Sequence, residues 1–152
     1  MTSVTTNSCF VRVSAHGNKP CVEIGNERVA LKIACSGCQI VHASAPGVAW
    51  NPFWEPPWET VPVSLRRVAA RDDRKFSQAQ QDVLESQLLA SIGGHNLCLD
   101  VFGGQSVGET KRAGLSFHGE AGLLEWTVEH VTDDEVTLVC RLHETQLLVK
   151  RK

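Results

Sequence analysis

The feature that most constrains this chain is the way its prolines are gathered. Five of the six fall within residues 45–62. Proline cannot donate to a sheet ladder and breaks a helix interior, so this stretch predicts one long surface loop. On either side the sequence alternates apolar and polar residues in short runs, the period of half-buried strands. Phe10-Val11-Arg12-Val13 predicts a short strand. Cys21-Val22-Glu23-Ile24 and Arg28-Val29-Ala30-Leu31-Lys32-Ile33 flank Gly25-Asn26-Glu27 and predict a hairpin, with Gly25 and Asn26 accommodating the turn. Residues 39–43 predict another strand, and residues 62–69 predict a return to strand after the loop.

One segment departs from this period. In residues 77–91 the apolar positions Ala79, Val83, Leu84, Leu88 and Leu89 recur at helical spacing. Ser77 with Gln80 fits a capping box, and Gly93 follows the end, so a short helix is expected. Residues 96–102 predict an apolar strand and residues 103–114 a glycine-rich loop. The clearest hairpin pairs residues 123–132 with 135–142 and turns at Asp133-Asp134. A last strand is expected at 146–150. Many short strands with glycine and proline turns predict an all-β chain, an antiparallel β-sandwich with one short helix, spanning 1–152 as a single domain.

Charge narrows the partners. Fifteen Lys and Arg stand against seventeen Asp and Glu, for a net charge of −2. Arg66, Arg67, Arg71, Arg74 and Lys75 are interrupted by Asp72 and Asp73, which reads as a solvated strand end rather than a nucleic-acid patch. No apolar run approaches the roughly 18 residues of a membrane helix. Residues 1–8 are polar and lack a basic-then-apolar leader, so a cytoplasmic location is expected. In a reducing compartment the six cysteines are free thiols, several of them buried. Cys35-x-x-Cys38 has no second Cys-x-x-Cys and no His-x-x-x-His to complete four ligands, so it reads as structural. No metal and no cofactor is expected.

Three stretches carry a resemblance. The first is Ile33-Ala34-Cys35-Ser36-Gly37-Cys38-Gln39-Ile40, after the opening hairpin. The second is Gly93-Gly94-His95-Asn96-Leu97-Cys98-Leu99-Asp100-Val101-Phe102-Gly103-Gly104. The third is Phe117-His118-Gly119-Glu120-Ala121-Gly122, with Trp126 after it. In this order they resemble the N-terminal half of the galactose mutarotase (aldose 1-epimerase) superfamily. The resemblance implies part of a large β-sandwich that holds a hexose in a cleft. It also implies ring opening by paired acid and base groups, with the later histidine and carboxylate of the family lying beyond Lys152.

By the resemblance, His118 is the first active-site histidine, and Gly119 lets the backbone pass close to the ligand. His95 and Glu120 are candidate hydrogen-bonding partners for sugar hydroxyls. Each also reads as a turn residue beside glycine. Trp50, Phe53, Trp54 and Trp58 crowd the proline-rich loop. Trp54 is the candidate ring for stacking on a sugar; alternatively these aromatics pin the loop to the core. Both hold if only one ring faces a cleft. The expectation is therefore an aldose 1-epimerase-like, carbohydrate-binding protein, with a non-catalytic carbohydrate-binding module or a structural half-domain as alternatives. Little or no mutarotation is expected from this chain alone. Leu147-Leu148-Val149 in the last strand carry apolar side chains on both faces, from which a homodimer is expected.

Overall fold

The computed structural model describes residues 8–63, 89–99, 103, 106 and 118–152. It is an all-β structure of two antiparallel sheets. The first has the order β1-β2-β3-β4, from β1 (Phe10–His16), β2 (Lys19–Gly25), β3 (Ala30–Ala34) and β4 (Gln39–Ser44). The second has the order β5-β6-β7, from β5 (Thr127–Val131), β6 (Val136–Arg141) and β7 (Leu148–Arg151). A single turn of 3-10 helix, Ala121–Leu123, precedes β5. No helix among the described residues is long and apolar enough to cross a membrane.

The two sheets meet through alternate residues of their strands. Val22, Trp126, Val136, Leu138, Cys140 and Leu142 form the main buried cluster, flanked by Val11, Ile24, Ile33 and Val149. Trp126 satisfies its indole N–H on the carbonyl of Ala121 at 2.9 Å. The residues between these on β2 and β3 point the other way. Cys21, Ala34 and Val41 make a second, smaller cluster on the outer face of the first sheet. The proline-rich loop and the segment 89–95 cover that face. Val61 N–H donates to the Ala90 carbonyl at 2.9 Å, and Val63 N–H to Ser36 Oγ at 2.8 Å.

The expected hairpins form, with shifted ends. The turn between β2 and β3 closes through Asn26, whose N–H donates to Val29 O at 2.8 Å while its side-chain oxygen accepts the Arg28 and Val29 N–H groups. The β5–β6 hairpin turns at Asp133-Asp134 as expected. β1 is longer than its alternating run and continues to His16, where it pairs with Lys19. Residues 96–99 are not a strand. They lie against residues 119–122, where His118 and Gly119 are left-handed and a 3-10 turn follows, a path that offers no ladder to pair with. Pro62 and Val63 are likewise outside any strand. Residues 89–91 are helical. The rest of the expected helix, the strand over 64–69, residues 100–102 and most of the 103–114 loop lie outside the described residues.

Lys19 is 1% exposed, beneath the segment that leads to His95. Its ammonium donates to Gln39 Oε1 at 3.2 Å and to the Ser91 carbonyl. Gln39 in turn donates to Asn96 Oδ1 at 3.3 Å. Lys19 thus ties the β1–β2 turn to β4 and to the segment 91–96. Burial without a carboxylate at hydrogen-bond distance lowers its pKa from 10.5 to about 8.

Two predictions follow from this packing. Leu138 is 1% exposed in the main cluster, so Leu138→Ala is expected to cost about 2–5 kcal/mol, read as a lower denaturant midpoint. Val13→Ala, at a position 91% exposed, should stay within about 0.5 kcal/mol. For Lys19, the folded protein releases its proton first as pH rises from about 8 towards 10.5, while the unfolded chain still holds one. The unfolded state then binds more protons, so the contribution of Lys19 to stability rises across that window, on the order of 1 kcal/mol per pH unit. Cys21 and Cys38, pushed by burial from 9.0 up to about 11, work in the opposite sense above their ordinary value. The difference in stability between wild type and Lys19→Met isolates the lysine. It should shift in favour of wild type above pH 8; a constant difference would show that the buried amine keeps its charge.

Candidate functional site

Over the outer face of the first sheet, the proline-rich loop divides its aromatic rings between two jobs. Trp58 is the anchor: its indole N–H donates to the Leu89 carbonyl at 3.0 Å. Trp54 meets Trp58 edge to face, ring centroids 6.0 Å apart at 74°. With Trp58 behind it, Trp54 remains 50% exposed, and Trp50 is 67% exposed. Phe53 is half-buried. An anchored ring supporting an exposed one presents a rigid apolar face to solvent.

The backbone of residues 94–95 links this loop to β4. Gly94 N–H donates to the Trp54 carbonyl at 2.8 Å, and His95 exchanges both backbone hydrogen bonds with Ile40, at 2.9 and 3.2 Å. Gly94 has φ of +62°, and a methyl group there would overlap the Ile40 carbonyl, so the close approach requires glycine. His95 is exposed.

His118 and Glu120 are held by other parts of the chain. His118 has φ of +62° and is clamped by one residue: its N–H donates to Gly103 O at 3.0 Å, and its Nδ1 accepts the Gly103 N–H at 2.9 Å. Cys98 Sγ lies 3.4 Å from the same nitrogen. Accepting at Nδ1 puts the proton of the neutral ring on Nε2, which makes Nε2–H a donor. Such a donor can hydrogen-bond a ring oxygen; ring opening needs an acid and a base as well. Gly119, at φ of +79°, sits against the Leu99 carbonyl where no side chain would fit. Glu120 is 5% exposed and turns inward. Its Oε1 accepts the Glu144 N–H at 2.5 Å, and Oε2 is buried with no hydrogen-bond partner among the described residues. The structure therefore ties Trp54 to Gly94 and His95 to Ile40 through the backbone, His118 to Gly103, and Glu120 to residue 144.

All six cysteines are free thiols. Burial pushes the Cys38 thiol up to about 11 and raises Cys35 too, so both stay protonated at neutral pH and are poor metal or redox groups. Among the described residues, the side chains arranged to share a metal ion are His16, His42 and Glu55. Sequence reasoning passed over these three and Lys19. Their positions, at the end of β1, beside a bulge, in a loop and at the start of β2, carry no local motif.

No protein-family model matches the chain, and no curated protein or solved structure matches it either.

Proposed function

We propose that this chain is a carbohydrate-binding β-sandwich on which a hexose stacks against Trp54, with His95 hydrogen-bonding its hydroxyls. The observation that carries this reading is the half-exposed Trp54 ring, backed by Trp58 and fixed through its carbonyl to Gly94. A stacked sugar needs a flat apolar surface and a polar group at its rim; the Trp54 ring offers the first, and the exposed His95, which follows Gly94, is the candidate for the second. The ordered glycine motifs that resemble the mutarotase superfamily support the same ligand class. They also lie together, through the Ile40–His95 bridge and the contacts of 119 and 122 with 97–99. In this reading His118 contributes an Nε2–H donor, and hydrogen-bonding capacity without a matching base among the described residues favours binding, rather than mutarotation, as the activity of these residues. Free thiols fit a cytoplasmic location. The exposed Leu147, just before β7, and Leu148, its first residue, fit self-association as a homodimer.

Saturation-transfer NMR with D-galactose and D-glucose tests the binding. Wild type should transfer saturation to the sugar ring protons, and Trp54→Ala should weaken binding about tenfold, equivalent to about 1.4 kcal/mol. No transfer at high millimolar sugar would refute the carbohydrate reading. Polarimetry on fresh α-D-glucose should show mutarotation near its spontaneous rate. A large acceleration abolished by His118→Ala would show that a base is present after all.

A further inference from the structure

We propose that His16, His42 and Glu55 form a binding site for a divalent transition-metal ion of the zinc class. Each offers one ligand atom, and the three atoms lie within 4.8 Å of one another. A tetrahedral zinc ion with bonds of about 2.0–2.1 Å sets its ligand atoms about 3.3 Å apart, so small side-chain rotations close the site. Two imidazoles and one carboxylate are a zinc donor set that leaves a fourth position for water or a ligand. Nitrogen donors select against calcium and magnesium, which take oxygen.

The backbone is built to bring these residues together. His16 ends β1 and His42 lies in β4, the two outer strands of the first sheet. Coiling of the sheet closes that distance: Lys32 of β3 reaches the Ala15 carbonyl of β1 at 3.2 Å, and the two imidazole centroids are 6.1 Å apart. A bulge sets the face. Lys32 pairs with His42 but Ile33 pairs with Ile40, so Val41 is the extra residue on β4. Without it, alternation would turn His42 with Ile40 towards the sheet interface. With it, His42 shares the outer face with Lys32, Glu23, Arg12 and His16.

Asn51 then fixes the third ligand. Its side-chain oxygen accepts the Ala43 N–H at 3.1 Å, and its nitrogen donates to the Val41 carbonyl at 2.9 Å, gripping β4 on both sides of His42. The same nitrogen donates to Glu55 Oε1 at 2.7 Å. One side chain therefore orients His42 and Glu55 relative to each other, as outer-shell residues do around metal ligands.

Cobalt(II) titration of the full reduced chain, followed by visible absorption, tests the site. One ion per chain should bind at micromolar concentration, with the intense d–d bands of four-coordinate cobalt, and zinc should displace it. His42→Gln and Glu55→Gln should each weaken binding at least tenfold while circular dichroism stays that of wild type. Asn51→Ala, a positioning change, should weaken binding and keep the band pattern of the intact donor set. Absence of binding at micromolar concentration, binding unchanged in both His42→Gln and Glu55→Gln, or a thiolate-to-cobalt charge-transfer band, which would place the ion on cysteines, would each overturn the proposal.

Discussion

The close approach of glycine backbones to neighbouring carbonyls is the constraint on which the rest of this structure depends. At Gly94 the segment 93–95 presses onto β4, and at Gly119 the segment 118–122 presses onto residues 97–99, each time with a left-handed backbone and no room for a Cβ. Side chains usually hold neighbouring strands and loops at a distance; here the main chains touch. That contact lets His95 exchange two hydrogen bonds with Ile40 outside any named strand. It also puts Trp126 at the start of the second sheet, where its N–H donates to the Cys35 carbonyl at 2.8 Å. The two sheets are thus linked by backbone hydrogen bonds at one end as well as by the apolar cluster between them.

The buried polar groups on the outer face work within that frame. Burying an ammonium beside neutral acceptors costs stability unless each of its hydrogen bonds is made. Lys19 donates to Gln39 and to the Ser91 carbonyl, and Gln39 extends the chain of bonds to Asn96. Ser36 plays a parallel part, donating to Glu125 at 2.6 Å while accepting the Val63 N–H. An apolar residue at position 19 would fill the space, yet it would leave the Ser91 carbonyl without this donor. The lysine therefore specifies where segment 91–96 sits rather than adding to net stability, and that position is what aligns Gly94 with Trp54.

Legibility in the sequence followed the range of the interactions. The β2–β3 and β5–β6 hairpins were readable because alternation and turn residues are local signals, carried by Asn26 and by Asp133-Asp134. The three glycine motifs, far apart in sequence, pack on one another. Residues 96–99 looked like a strand because they are apolar, but apolarity does not supply a partner with ladder geometry. The extension of β1 to His16 was hidden because Ser14, Ala15 and His16 lack the β-branched and aromatic residues of a strand; pairing with β2 overrides that weak preference. The bulge at Val41 leaves no mark in composition at all. It is set by register, and register decides which face His42 takes.

The proline-rich loop shows how little local structure a positioned surface needs. Its prolines remove backbone donors and keep it from joining either sheet. A few side chains do the work of a ladder instead: Asn51 bonds both flanks of His42, Trp58 bonds Leu89, and the Trp54 carbonyl takes the Gly94 N–H. The exposed Trp54 ring and the Glu55 carboxylate are adjacent in this loop, held from opposite ends by Gly94 and Asn51. A change at Asn51 therefore acts on both, because the same side chain sets the path of residues 51–55 over β4. The exposed Trp54 ring and the His16–His42–Glu55 cluster are in this sense mechanically coupled, through a loop whose geometry depends on side-chain hydrogen bonds rather than on secondary structure.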